Sequence, residues 1–125
     1  MKKILIILLS IISISCSQND FISVKSPNND IKLYFELVDG VPTYSVNNKK
    51  KKVISLSKMG LLFNNNIDFS KNLSLLETKS TSFNKSWKPL YGEEEIIINN
   101  YNELMVSLSN NVYKMKIFFR VFDDG

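Results

Sequence analysis

From Ile31 onward the chain alternates. Ile31, Leu33, Phe35 and Leu37 fall on one face, and Lys32, Tyr34 and Glu36 on the other. A period of two predicts a half-buried strand over residues 31–37. Asp39-Gly40 follows, a pair that favours a tight two-residue hairpin turn. The return strand is expected over Thr43–Val46, with Pro42 at its start, where a missing N–H donor is tolerated. Asn47–Lys50 predicts a second turn, and Lys51–Ser57 a third strand built on Val53, Ile54 and Leu56. Met59–Phe63 is a short apolar patch, Asn64–Asn66 a loop and Ile67–Ser70 a weak strand. Leu73–Thr81 reads as a further strand, although Leu75-Leu76-Glu77 also suits a helix.

Ser86–Glu93 holds Pro89 and Gly92, which exclude a regular helix, with Trp87 and Tyr91 on either side of the proline. Glu94–Asn99 is expected to be extended, and Asn99-Asn100 to turn. Asn102–Ser109 alternates, placing Leu104, Val106 and Leu108 together. Asn110-Asn111 suits a hairpin turn, since asparagine tolerates positive φ. In the last strand Tyr113, Met115, Ile117, Phe119 and Val121 share the buried face, and Lys114, Lys116, Phe118, Arg120 and Phe122 the other. No segment carries a helical stripe of four turns. Short strands joined by hairpin signals predict an all-β fold, an antiparallel β-sandwich. The last residues, Asp123-Asp124-Gly125, are a turn signal with no strand after it. The sandwich is therefore expected to be incomplete.

The N-terminus has a different pattern. Met1-Lys2-Lys3 is positive, Ile4–Ile14 is nearly all Ile and Leu, and Ser13-Ile14-Ser15 leads to Cys16. This order of charged, apolar and small residues is that of an export signal. The apolar run is shorter than the ~20 residues that span a bilayer. The cysteine stands where a bacterial lipoprotein signal places its lipidated residue, with Ser15 before it and Ser13 where leucine is usual. Residues 1–15 are read as a lipoprotein-type signal, Cys16 as the lipidation site and residues 16–25 as a polar tether to the envelope membrane. An ordinary signal peptide with an incidental cysteine is the alternative. The expected localisation is the periplasm or outer membrane.

Composition narrows the chemistry. The chain has 125 residues, so it holds one domain at most. It has no histidine, which removes the commonest general base and the commonest transition-metal ligand. One cysteine allows no internal disulfide and no thiolate zinc cage. The formal charge of +4 includes Lys2 and Lys3 of the signal. Lys and Glu are interspersed beyond it, and no nucleic-acid partner is expected. Alanine is absent while Asn, Ile, Lys and Ser are abundant, which reads as codon bias and weakens the meaning of runs such as Lys49–Lys52.

Each candidate constellation has a plain structural alternative. Glu93-Glu94-Glu95 offers three carboxylates, but neighbours on a strand point to opposite faces. Glycoside hydrolysis needs two carboxyls ~5–10 Å apart across a cleft. A solvated run is the simpler reading, and no catalytic residue is assigned. Asp123-Asp124 lacks a spaced third ligand for calcium, and no metal site is assigned. Trp87 and Tyr91 could form an aromatic platform for a sugar ring, or anchor an interdomain contact. Arg120 is expected to pair structurally with a carboxylate on a neighbouring strand.

Several pieces together resemble the N-terminal domain of glycoside hydrolase family 97. They are Ser26-Pro27 with the following strand; Asp39-Gly40 and Pro42-x-Tyr44-x-Val46; Gly60-Leu61; Trp87-Lys88-Pro89-x-Tyr91-Gly92-Glu93; Tyr101-Asn102-Glu103-Leu104; and Phe119-Arg120-x-Phe122-Asp123-Asp124-Gly125. The resemblance covers about residues 23–125. It implies a sandwich of the galactose-mutarotase type, with residues 26–125 as its first part. It also implies that catalytic carboxylates lie mainly on a (β/α)₈ barrel, assisted by a calcium ion. A barrel takes ~250 residues and is not in this sequence. No residue here matches the family's catalytic acids or calcium-binding glutamates, so no cofactor is expected on this chain. The full-length protein would be an α-glycosidase acting on an α-linked saccharide, and this stretch alone would be inactive. Two other readings remain open: a non-enzymatic glycan-binding surface lipoprotein, and the product of a decayed gene.

Overall fold

The computed structural model describes residues 22–91 and 96–125. Seven strands are formed: β1 (Ile22–Lys25), β2 (Ile31–Val38), β3 (Val41–Asn48), β4 (Lys51–Lys58), β5 (Ser74–Trp87), β6 (Ile97–Ser109) and β7 (Lys114–Val121). Among the described residues there is no helix. The strands make two antiparallel meanders, one ordered β1-β2-β3-β4 and the other β5-β6-β7. The all-β antiparallel sandwich expected from the alternation is the fold observed.

The turns set the register. Asp39 and Gly40 both take positive φ, 52° and 75°, the requirement of a type I′ turn, and Val38 faces Val41 across it. Lys49, at φ 54°, opens the next two-residue turn, between Asn48 and Lys51. The β6–β7 loop is held by Asn110, whose side-chain oxygen accepts the N–H groups of Val112 and Tyr113. Between β1 and β2 the Ser26 hydroxyl accepts the Ile31 N–H and donates to Asn28. Hairpin connections let each strand lie beside its sequence neighbour.

The sheets meet through the faces that the alternation marks. Leu33 and Phe35 of the first sheet pack with Leu104, Val106, Leu108 and Val121 of the second. Phe35 and Phe119 stand 5.8 Å apart between the layers, inclined at 46°. Phe69 and Leu73, from the segment linking β4 to β5, join the same core. Two polar ties add to it: Asn102 donates to the Lys25 carbonyl, and the Asn28 N–H donates to Asp123.

Several element boundaries differ from expectation, among them Asn47 and Asn48, which pair in β3 with Lys32 and Ile31 and leave the turn to Lys49 and Lys50. Residues 22–25, read as polar tether, form β1 on the edge of the first sheet, with Val24 buried in the core. Two apolar positions are too few to announce a strand in isolation, and pairing with β2 completes it. β5 continues through Trp87, past the Thr81 limit expected for it. Its ambiguous start is a bulge between Leu75 and Glu77, where one extra residue breaks the alternation. Asn99-Asn100 makes no turn, because both residues pair in β6 with Lys85 and Asn84. The partner strand satisfies their backbone groups and overrides the local preference of asparagine. Ile67–Ser70 makes only an isolated bridge between Leu62 and Asp68.

That linking segment contains a titrating group. The Ser70 hydroxyl and N–H both donate to Asp68, and Lys71 stands 3.6 Å from it. The two Ser70 bonds, then the lysine, hold the Asp68 carboxyl below its ordinary range. A depressed folded value stabilises the fold above the unfolded value, and that contribution is lost as pH falls through the folded value. We expect the Asp68 side-chain carboxyl resonance to titrate at lower pH than that of a free aspartate peptide. Ser70→Ala should move its midpoint back up. A midpoint indifferent to Ser70 would contradict the assignment.

Candidate functional site

Strand pairing decides which side chains share a surface. In β6, Leu104, Val106 and Leu108 face the core, so Tyr101, Glu103, Met105 and Ser107 face outward. Register then aligns three rows on the outer face of the β5–β7 sheet. Phe83, Tyr101 and Phe122 form one, with ring centroids 5.1 and 5.0 Å apart. Thr81, Glu103 and Arg120 form the second. Lys79, Met105 and Phe118 form the third. Of the outward set expected for the last strand, Lys114, Lys116, Phe118 and Arg120 are exposed, whereas Phe122 is half-buried against Tyr101, and Tyr113, expected on the buried face, is exposed ahead of β7.

Arg120 finds the carboxylate anticipated for it. Its Nε lies 2.7 Å from Glu103 Oε2 on the adjacent strand, and its guanidinium stands 5.2 Å from the Tyr101 ring centre. The hydrogen bond to Glu103, and then the neighbouring charges, hold the guanidinium further toward its charged form. Glu103 is thereby engaged as a structural partner.

β5 and β6 run past the end of β7. Val121 is opposite Asn102, whereas the β5–β6 pairing continues to Trp87 opposite Ile97. A two-stranded arm therefore projects beyond the sandwich. Trp87 ends its first strand at 49% exposure, and Tyr91, in the segment beyond, is 94% exposed. Both candidate contact residues are thus on the arm and open to solvent. Neither belongs to the core. Leu90 and Ile98 add exposed apolar surface there.

Other candidates are placed as follows. Residues 1–15, read as a signal, Cys16 and Glu93-Glu94-Glu95 lie outside the described residues. Asp123 accepts the Asn28 N–H and ties the chain end to the β1–β2 turn. Lys49 pairs with Asp30 at 3.7 Å, while Lys50–Lys52 are exposed. Among the described residues no three His, Cys, Asp or Glu side chains gather as a metal site would require.

Two clefts open between the sheets, and neither was legible in the sequence because each joins distant strands. One, of about 280 Å³, is polar and lies on the β1–β5 side, lined by Ser23, Lys25, Ser80, Ser82 and Asn102 among others. It is lined by hydroxyl, amide and ammonium residues and by one carboxylate residue, Glu103, which is engaged by Arg120. The other, of about 180 Å³, is apolar and bounded by Met59, Gly60, Leu61, Met115 and Ile117. No acid and base stand across either cleft in the arrangement that glycoside hydrolysis uses.

Comparison with known proteins gives this geometry its family. The glycosyl-hydrolase 97 N-terminal profile matches residues 24–125. A glycoside hydrolase family 97 enzyme from Pseudoalteromonas sp. strain K8, solved in complex with panose, superposes with a TM-score of 0.74 at 27% identity. The match covers 81% of this chain and 16% of that one. An acarbose complex of a family 97 enzyme from the same strain gives the same values. A β-arabinopyranosidase matches at TM-score 0.72 and 27% identity, over 81% of this chain and 16% of its own. The chain thus spans about a sixth of the length of these enzymes. Its two packed meanders and its sequence match place it in glycoside hydrolase family 97, as part of that family's N-terminal domain.

Proposed function

We propose that this chain is the leading, non-catalytic part of the sandwich of an exported α-glycosidase. The observation that carries the proposal is the family match over residues 24–125, set beside coverage of only 16% of solved family enzymes. In this reading the hydrolytic carboxylates and the calcium ion belong to a barrel outside this sequence, and residues 1–125 alone do not cleave glycosides. The sandwich continues past Gly125, and further strands cover the apolar cleft beside β7. The leader directs export, and Cys16 carries the lipid that holds the protein at the periplasmic or outer-membrane face.

The exposed arm supplies the contact surface. Trp87 and Tyr91 meet either an α-linked saccharide or the rest of the enzyme. Panose and acarbose, bound by relatives, set the ligand class for the first alternative. A titration with panose separates the two, since Trp87 is the only tryptophan of the chain and reports alone. Saturable quenching of its fluorescence, lost in Tyr91→Ala, is the result expected of a sugar contact. Unchanged emission assigns the arm to the interdomain contact.

A further inference from the structure

Lys and Glu are interspersed along the sequence, and strand pairing decides which of them share a surface. Every charged residue of β5, β6 and β7 lies on the outer face of their sheet. Five are basic, Lys79, Lys85, Lys114, Lys116 and Arg120, against two acidic, Glu77 and Glu103. Glu103 is already paired with Arg120. The same face exposes Phe118, at 54%, and Trp87. Lys85 stands 5.3 Å from the Phe83 ring centre, so cation and aromatic surface are presented together.

We propose that this outer face is a docking surface for the anionic phosphate headgroups of a lipid bilayer. Two features select that partner. Basic side chains with half-exposed aromatic rings match the interfacial layer, where phosphate charge and apolar chains meet. The second feature rests on the lipid-anchor reading of Cys16. Five residues, 17–21, separate Cys16 from Ile22, and the six Cα–Cα steps reach at most ~22 Å. Packed sheets are ~10 Å apart, so such a leash can bring the far side of the sandwich to the membrane surface.

The experiment uses the full chain and the emission of Trp87. The apolar leader enters any bilayer, so binding itself is not the readout. With phosphatidylcholine vesicles Trp87 should emit as in buffer. With vesicles containing phosphatidylglycerol its emission should move to shorter wavelength, be quenched by brominated acyl chains, and return in 1 M salt, where screening acts within ~3 Å. The double variant Lys114→Glu/Lys116→Glu should raise the lipid needed for half the shift by at least ~30-fold, at about 1 kcal/mol for each lysine lost. Lys50→Glu/Lys51→Glu, on the other sheet, should leave it unchanged. Equal emission on both vesicles, equal effects of the two double variants, or the same shift with soluble polygalacturonate would overturn the proposal. Cys16→Ser separates the two readings. Loss of palmitate labelling with the shift retained supports both. A wild-type chain that takes no label but shows the shift removes the anchor and leaves the face.

Discussion

Phe35→Ala should cost this chain most of its stability, about 3–5 kcal/mol. Phe35 is 1% exposed, at the middle of β2, with Ile22 and Tyr44 opposite it on the flanking strands. Its ring meets Phe119 of the facing sheet. Truncation removes apolar area and leaves a void lined by both layers, which a two-layer fold cannot close from one side. A domain has ~5–15 kcal/mol in total, so the loss consumes much of the margin. Phe118→Ala is the control. It removes the same group from the exposed outer face and should change stability by no more than about 0.5 kcal/mol. Urea unfolding of the two variants measures the difference. Equal midpoints would mean that the sheets do not meet through Phe35.

Gly60→Ala is the second large effect. An added Cβ at this position would lie 2.6 Å from Ser70 Cα and 3.1 Å from the Phe69 carbonyl oxygen. These are backbone atoms and cannot turn aside. The crossing is pinned by the Phe69 N–H donating to Leu61 at 2.8 Å and the Phe63 N–H to Ile67 at 3.0 Å. Relief requires opening the segment and lifting Phe69 from the core. The cost is about 1–3 kcal/mol, as for other overpacked sites. At ~4–8 °C per kcal/mol, a thermal melt should fall by at least ~4 °C. An unchanged melt would show that residues 60 and 70 are not in contact.

Comparing the two sites shows what the sequence discloses. Phe35 was legible, because strict alternation over Ile31–Leu37 identifies a buried face without knowledge of its partner. The turn at Asp39-Gly40 was legible for the same reason: its chemistry is local. Gly60 was different. It stood out only as part of a family resemblance, since the chain that approaches it is ten residues away through an irregular loop. The boundaries that were missed follow this rule. β1 and the Asn99-Asn100 stretch depend on a neighbouring strand for their backbone partners, and the neighbour decides. The bulge at Leu75–Glu77 disguised a strand by breaking its period. Trp87 and Tyr91 stood out in the sequence as aromatics around a proline, but their position on a projecting arm comes from the unequal lengths of β6 and β7. Of the basic outer face only the β7 residues Lys114, Lys116 and Arg120 were legible, because Lys79 and Lys85 join them through register across strands and not through order.

The central claim is that these residues form a sandwich portion of a family 97 enzyme and carry no hydrolytic site of their own. The most direct measurement is the release of nitrophenol from aryl α-glucoside and aryl α-galactoside by the purified chain. The account predicts a rate equal to that of buffer, unchanged in Glu93→Ala, Glu103→Gln and Trp87→Ala. Turnover above buffer that is lost in any of these variants would contradict it.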